Sequence, residues 1–302
     1  MGFHQYWTVR RPLKSGLLFL SALGFGLGAI APLPTQAVSF PSSTPSSGAP
    51  PRTASGAPQR NECSVTDFID QDGDGIAEQP LTPMTALVPT NNIIKTPTGS
   101  HLTFFVYLPH NTATSAEIAI DEVEAVTVTD VNGVSQVIEY QFKGEESIYL
   151  NETLPIPDSV TVGPRIVAYE LNNLNLQAGK TYQWSLSLNC GGQPFIPAVG
   201  GIIDCQQGCN ANVQMPGLTG LNASELLQLS QSAAAKGLWT QTLRSTAQLR
   251  QFDPTQWAEL LQSQGLGCIA SVPFANNPQA EFTVNDDPHC FVSDTTHPAI
   301  AE

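Results

Sequence analysis

The chain has 302 residues, with 26 acidic side chains against 12 Lys and Arg, and a formal net charge of −14. So acidic a chain repels phosphate backbones and anionic lipid headgroups, so the expected partners exclude nucleic acid and anionic membrane surfaces. Hydrophobic residues make up 41% of the sequence and charged residues 13%, the composition of a globular chain with a core to bury.

At the N-terminus, Arg10, Arg11 and Lys14 precede an apolar run from Gly16 to Ala31, and Thr35-Gln36-Ala37 offers a small-residue processing site. Residues 1–37 read as an export signal cleaved after Ala37. Gly16, Gly24, Gly26 and Gly28 dilute the run, so no stable membrane span is expected once the signal is gone. Its removal leaves nine cations against all 26 acids, a net charge of −17. The expected location is periplasmic or extracellular. All six cysteines (Cys63, Cys190, Cys205, Cys209, Cys268 and Cys290) lie in the retained part, and an even count in an exported chain favours disulfides whose connectivity the sequence leaves open.

Residues 38–60 are rich in Pro, Ser, Gly, Thr and Ala and read as a flexible tether. Residues 61–205 read as a β-sandwich carrying an inserted acidic loop at 64–80. In that loop Asp70-Gln71-Asp72-Gly73-Asp74-Gly75-Ile76-Ala77-Glu78 follows an EF-hand calcium loop: carboxylates at positions one, three and five, glycine at six, an apolar residue at seven and an acid at nine. Asp70, Asp72, Asp74 and Glu78 would ligate through side chains or water, and Ile76 through its carbonyl. Leu81 stands where the closing bidentate glutamate belongs and Pro80 blocks an exiting helix, so a paired EF-hand is excluded; a solvated Asp/Gly turn is the alternative.

Seven apolar runs separated by turn signals follow, at 102–108, 125–129, 135–142, 148–150, 166–171, 181–190 and 199–203. In the sixth, Tyr182, Trp184, Leu186, Leu188 and Cys190 alternate with polar residues, the period of a strand with one buried face. Ile138, Tyr140 and Phe142 alternate in the same way with Glu139, Gln141 and Lys143. Asn132-Gly133 predicts a tight hairpin joining the second and third runs antiparallel, and Gln177-Ala178-Gly179-Lys180 predicts a turn before the sixth.

Within 206–271 the period becomes helical. Asn222-Ala223-Ser224-Glu225 has capping-box spacing, and Gly237 ends that helix. Trp239, Leu243 and Ala247 mark the buried stripe of a second helix. Asp253-Pro254 opens a third with Trp257, Leu260 and Leu261 inward. Residues 272–302 show little periodicity and read as an irregular tail. The fold class is therefore α+β, an antiparallel, Ig-like β-sandwich of about seven strands followed by a small three-helix segment.

The order Leu87-Val88-Pro89, Phe104-Phe105-Val106-Tyr107-Leu108-Pro109 and Gly179-Lys180-Thr181-Tyr182-Gln183-Trp184-Ser185-Leu186-Ser187-Leu188-Asn189-Cys190 resembles the cyanobacterial domain of unknown function family 928. Gly237-Leu238-Trp239, Leu249-Arg250, Trp257 and Leu260-Leu261 extend the likeness, which spans roughly residues 63–270. The resemblance implies an exported protein of a cyanobacterial envelope or exterior with no assigned activity. It also implies a disulfide between Cys63 and Cys190, and it makes 64–80 an insertion.

Catalytic constellations are missing: there is neither a G-x-S-x-G elbow nor an H-E-x-x-H helix. His101 and His110 flank one strand at opposite ends and read as surface residues. Asp121-Glu122 and Glu145-Glu146 read as acid-rich turns rather than glycosidase pairs. Trp239 and Trp257 read as helical core rather than a ligand platform. Cys205, Cys209, Cys268 and Cys290 read as disulfide partners rather than a zinc site, with Cys205 or Cys209 reaching Cys268 or Cys290 as the alternative to a tight mutual bond. The expectation is a non-enzymatic binding or scaffolding module whose partner is an envelope or extracellular protein or glycan. The alternatives are a calcium-stabilised structural module and a secreted hydrolase with an unrecognised site.

Overall fold

The computed structural model describes residues 37–41, 52, 82–97, 101–144, 146–161, 163–190, 193–205, 209 and 217–275. β3 (Leu102–Leu108) explains the layering. Its sequence, LTFFVYL, is an apolar run without alternation, as expected of a strand covered on both faces, and all seven residues are buried. β3 lies between β1 (Thr85–Ala86) and β7 (Arg165–Leu171) in a three-stranded antiparallel sheet. Phe104 packs on Trp184 of a second sheet at 4.4 Å between ring centroids. On its other face, Phe105 meets Phe274, which in turn touches Trp257 of the helical layer.

The second sheet has six strands, in the order β2 (Ile93–Lys95), β9 (Gln193–Asp204), β8 (Thr181–Cys190), β4 (Ser115–Thr129), β5 (Ser135–Phe142), with β6 (Tyr149–Pro155) also on β4. Every pair is antiparallel except β2 with β9. β8 is central, and Tyr182, Trp184, Leu186 and Leu188 form its buried face as the alternation predicts. Beside Trp184, β9 carries Gly200 and Gly201. A Cβ on Gly200 would come within 2.1 Å of the Trp184 carbonyl oxygen, and one on Gly201 would meet the Asn92 carbonyl at 2.9 Å. Only glycine lets β9 pass this close.

The α+β class stands, as two stacked sheets and three helices, with two departures from the expected sandwich. Among the described residues there are nine strands rather than seven, and their division into three and six with a parallel β2–β9 pair is not the Ig-like arrangement. β1 and β2 are too short to show a period. β4 begins ten residues before the predicted run, and its signal was present in the alternation of Ala116, Ile118 and Ile120, all fully buried. The hairpin pairing of β4 with β5 is as predicted, but the connection spans residues 130–134, with Gly133 at φ +81° and the Asp130 carboxylate accepting from the Asn132 and Val134 N–H groups.

Helices α1 (Ala223–Ala235), α2 (Trp239–Leu249) and α3 (Pro254–Ser263) follow the predicted starts. Both bonds of the Asn222/Glu225 capping box form, and Asp253 caps α3 through the Thr255 N–H. α1 and α2 approach through the small buried residues Ser230, Thr242 and Thr246; the Ser230 and Thr246 hydroxyls bond each other and the Thr242 carbonyl, and the Thr242 hydroxyl donates to the Leu238 carbonyl. Trp239 donates its indole N–H to the Leu87 carbonyl at 2.7 Å, tying the helices to the β1 segment.

Both termini of the described domain differ from the tether and tail expected there. Val38 and Phe40 are buried: the Val38 N–H donates to Gln256 Oε1, the Phe40 carbonyl accepts from Gln264 Nε2, and the Phe40 ring meets Trp239 edge-on. Gln264 also accepts from the Thr90 N–H and hydroxyl, and its carbonyl accepts from Arg52, whose burial pulls the guanidinium pKa down to about 10. Two apolar side chains in a polar stretch thus find a slot that composition could not reveal. At the other end, Val272 is buried, and Pro273 and Ala275 bond to both sides of Ile166 in β7. Arg250 clamps this segment through the Ser271 and Val272 carbonyls and lies over the Trp257 and Phe274 rings.

Candidate functional site

The proposed calcium ligands Asp70, Asp72, Asp74, Ile76 and Glu78 lie outside the described residues, as do Cys63, Cys290 and Glu145. Among the described residues no group of three or more His, Cys, Asp or Glu is arranged to hold a metal ion. Cys205 and Cys209 are bonded to each other, so neither reaches Cys268 or Cys290 and neither is available as a zinc thiolate. The bond closes the chain just after β9, where Cys205 pairs with the turn at Gly179 and Lys180. Cys268 is disulfide-bonded as well, and no described cysteine is free.

Asp121 and Glu122 are neighbours on β4, so they point to opposite faces. Asp121 accepts from the Ser147 hydroxyl, while Glu122 pairs with Lys180 at 2.6 Å and raises the pKa of that ammonium. The histidines sit at opposite ends of β3, and His110 bonds the Thr161 carbonyl. Trp239 and Trp257 are buried core residues, as their helical spacing predicts.

What the structure brings forward instead is an arm. β8 pairs with β4 only as far as Val123, and from Glu124 to Thr129 β4 has β5 as its sole partner in the sheet. This two-stranded ribbon runs about 20 Å beyond the sandwich, at the rise of an extended strand. The ribbon carries apolar residues that stand exposed among the described residues. Ile138 is 49% exposed and Phe142 is 60% exposed; Val128, Val131 and Val134 are exposed around the tip, and Ile148 and Leu150 where the chain re-enters the sheet as β6. Phe252 is the only other large hydrophobic residue exposed among the described residues. The alternation of Ile138, Tyr140 and Phe142 predicts a buried face; in the structure Ile138 and Phe142 are exposed and Tyr140 is half-buried.

The arm is also acidic. From Glu124 to Phe142 it carries three carboxylates, Glu124, Asp130 and Glu139, and no Lys or Arg; Lys143, just past it, pairs with Glu124 at 3.4 Å. Hydrogen bonds from the Val134 and Asn132 N–H groups hold the Asp130 carboxyl below its ordinary pKa, so the tip stays charged. Such a surface favours a cationic partner.

No helix among the described residues is long and apolar enough to cross a membrane. No curated protein matches the chain. A family model described as Domain of Unknown Function (DUF928) matches residues 71–274. The match starts inside the acidic loop. It takes in both sheets and all three helices, and by this match the chain belongs to the DUF928 family.

Proposed function

We propose that the protein is an exported, non-enzymatic module of the cell envelope or exterior that binds or scaffolds another component. The observation that carries this reading is the arm, where an alternating apolar face is left uncovered outside the sandwich. Contiguous exposed apolar surface rimmed by polar groups marks interaction sites. The N-terminal charge and hydropathy pattern of residues 1–37 supports export. Cell fractionation with N-terminal sequencing tests that part: a processed chain beginning at Val38 outside the cytoplasm is expected, and an intact, cytoplasmic chain would refute it. A hydrolase panel tests the other part. Turnover that survives purification and vanishes on a single polar substitution would replace the binding reading with an enzymatic one.

The 70–78 sequence pattern favours a second, compatible reading in which calcium stabilises the module. Calcium at about 10 mM, roughly ten times the weak end of the range for extracellular modules, is expected to raise the Tm. Asp72→Ala is expected to abolish that rise, and an unchanged wild-type Tm sinks the reading.

A further inference from the structure

We infer that the guanidinium of Arg165, at the edge of the sandwich where β7 begins, is a binding site for a small aliphatic monocarboxylate. The site lies apart from the arm and goes beyond the binding reading above.

Arg165 pairs with Leu108, the last residue of β3. In the same register Tyr169 pairs with Phe104, whose ring packs on Trp184 of the second sheet. Alternation puts Arg165, Val167 and Tyr169 on one face of β7, so Arg165 lies on the side where the two sheets meet. Its cross-strand neighbour Leu108 and its same-face neighbour Val167 are both buried, and Arg165 itself is only 4% exposed.

A cation so placed calls for a partner, because a buried charge is retained when it is paired and hydrogen-bonded. Two other arginines show the usual solutions. Arg244 faces Glu170 at 4.0 Å, and Arg250 donates to the Ser271 and Val272 carbonyls and lies over two aromatic rings. Arg165 has neither arrangement. Its Nη1 donates to the carbonyl of the preceding residue, Pro164, at 2.9 Å. Among the described residues its buried Nε meets no acceptor, its Nη2 makes no hydrogen bond and no carboxylate lies within ion-pair distance.

What is left over defines the ligand. The bond from Nη1 fixes the plane of the guanidinium, and Nε–H with Nη2–H forms the parallel pair of donors along its other edge. The two oxygens of a carboxylate accept from such an edge together. One cation balances one negative charge, whereas a dianion would leave a second charge uncompensated in a chain of net charge −14. So slight an exposure admits only a slender group, and the buried Leu108 and Val167 beside it suit an alkyl substituent. Arg165 is the first residue of its strand, and such ends open locally at lower cost than strand middles, which gives the ligand its way in.

The test uses the full processed chain at constant ionic strength, with sodium chloride exchanged stepwise for sodium butyrate or sodium sulfate, and with neutral butyramide as a third probe. Butyrate is expected to raise the Tm saturably with a Kd of about 1 mM, within the range for so small a ligand. At about ten times that concentration the folding equilibrium shifts about elevenfold. Sulfate is expected to do no more than chloride, butyramide to do nothing, and butyrate to slow amide exchange in residues 165–168. Arg165→Met, which keeps an apolar stem without the charge, is expected to lose the butyrate response. Arg165→Lys keeps a charge without the fork and is expected to weaken butyrate at least tenfold; it carries the comparison if the methionine variant does not fold. An equal butyrate response in either folded variant, an equal rise with sulfate or butyramide, or protection confined to another part of the chain overturns the proposal. So does a wild-type Tm that shows no saturable response by about 100 mM butyrate, which would leave water to complete the fork.

Discussion

At Gly200, one hydrogen atom in place of a methyl group decides whether β9 can lie against β8. A methyl there would sit 2.1 Å from a backbone oxygen, which has no rotamer by which to yield. Gly200→Ala is therefore expected to cost about 3 kcal/mol, the upper range for overpacking, seen as a lowered denaturant midpoint with an unchanged slope. Gly133, with open space around its Cβ position, is the control, because its substitution meets only the left-handed backbone penalty of about 1–2 kcal/mol. Asp253 works through charge instead. The Thr255 hydroxyl and N–H hold its carboxyl below the ordinary aspartate pKa. A depressed folded pKa means that the contribution is fully present above the ordinary value and is lost as pH falls through the folded one. The stability gap between wild type and Asp253→Ala, about 1 kcal/mol near neutrality for a lost N-cap, is thus expected to close as pH falls below about 4.

Among the elements, those with a sustained period were legible from the sequence. The alternation of Tyr182, Trp184, Leu186 and Leu188 defined the central strand, and the cap residues Asn222 and Asp253 placed two helix starts. The arm was half legible: the Ile138, Tyr140 and Phe142 pattern is real, but a period reports which residues share a face and cannot say whether another layer reaches it. The short strands β1 and β2 left no period to read, and the pairing of Cys205 with Cys209 was one option among several. That bond closes a small ring, so it constrains the unfolded chain modestly. Replacing both cysteines by alanine is expected to cost about 2 kcal/mol by the loop-entropy relation, measured by denaturant unfolding. An unchanged midpoint would show that the backbone pairing of Cys205 with Lys180 holds this corner without the sulfurs.

Across the whole molecule, β3 joins the two apolar interiors into one, since Phe104 serves the sandwich and Phe105 the helical layer. Unfolding followed at Trp184 and at Trp257 by site-selective probes should therefore give a single coincident transition, as cooperative two-state behaviour requires. Phe40 tests how far that unity extends to the N-terminal segment. Phe40→Ala empties the slot beside Trp239 and is expected to cost about 3 kcal/mol, read as a drop in Tm. A shift below about 0.5 kcal/mol, the range of ordinary surface changes, would mean that the segment rests on the domain without supporting it.

The docking of Val38 and Phe40 also sets an order in time. Their partners Gln256 and Gln264 lie 218 and 224 residues further along the chain. A polypeptide made from its N-terminus has these two apolar residues ready long before α3 exists to receive them. Fragments that stop short of residue 256 leave both exposed, and the domain is finished by its last helix closing over its first residues.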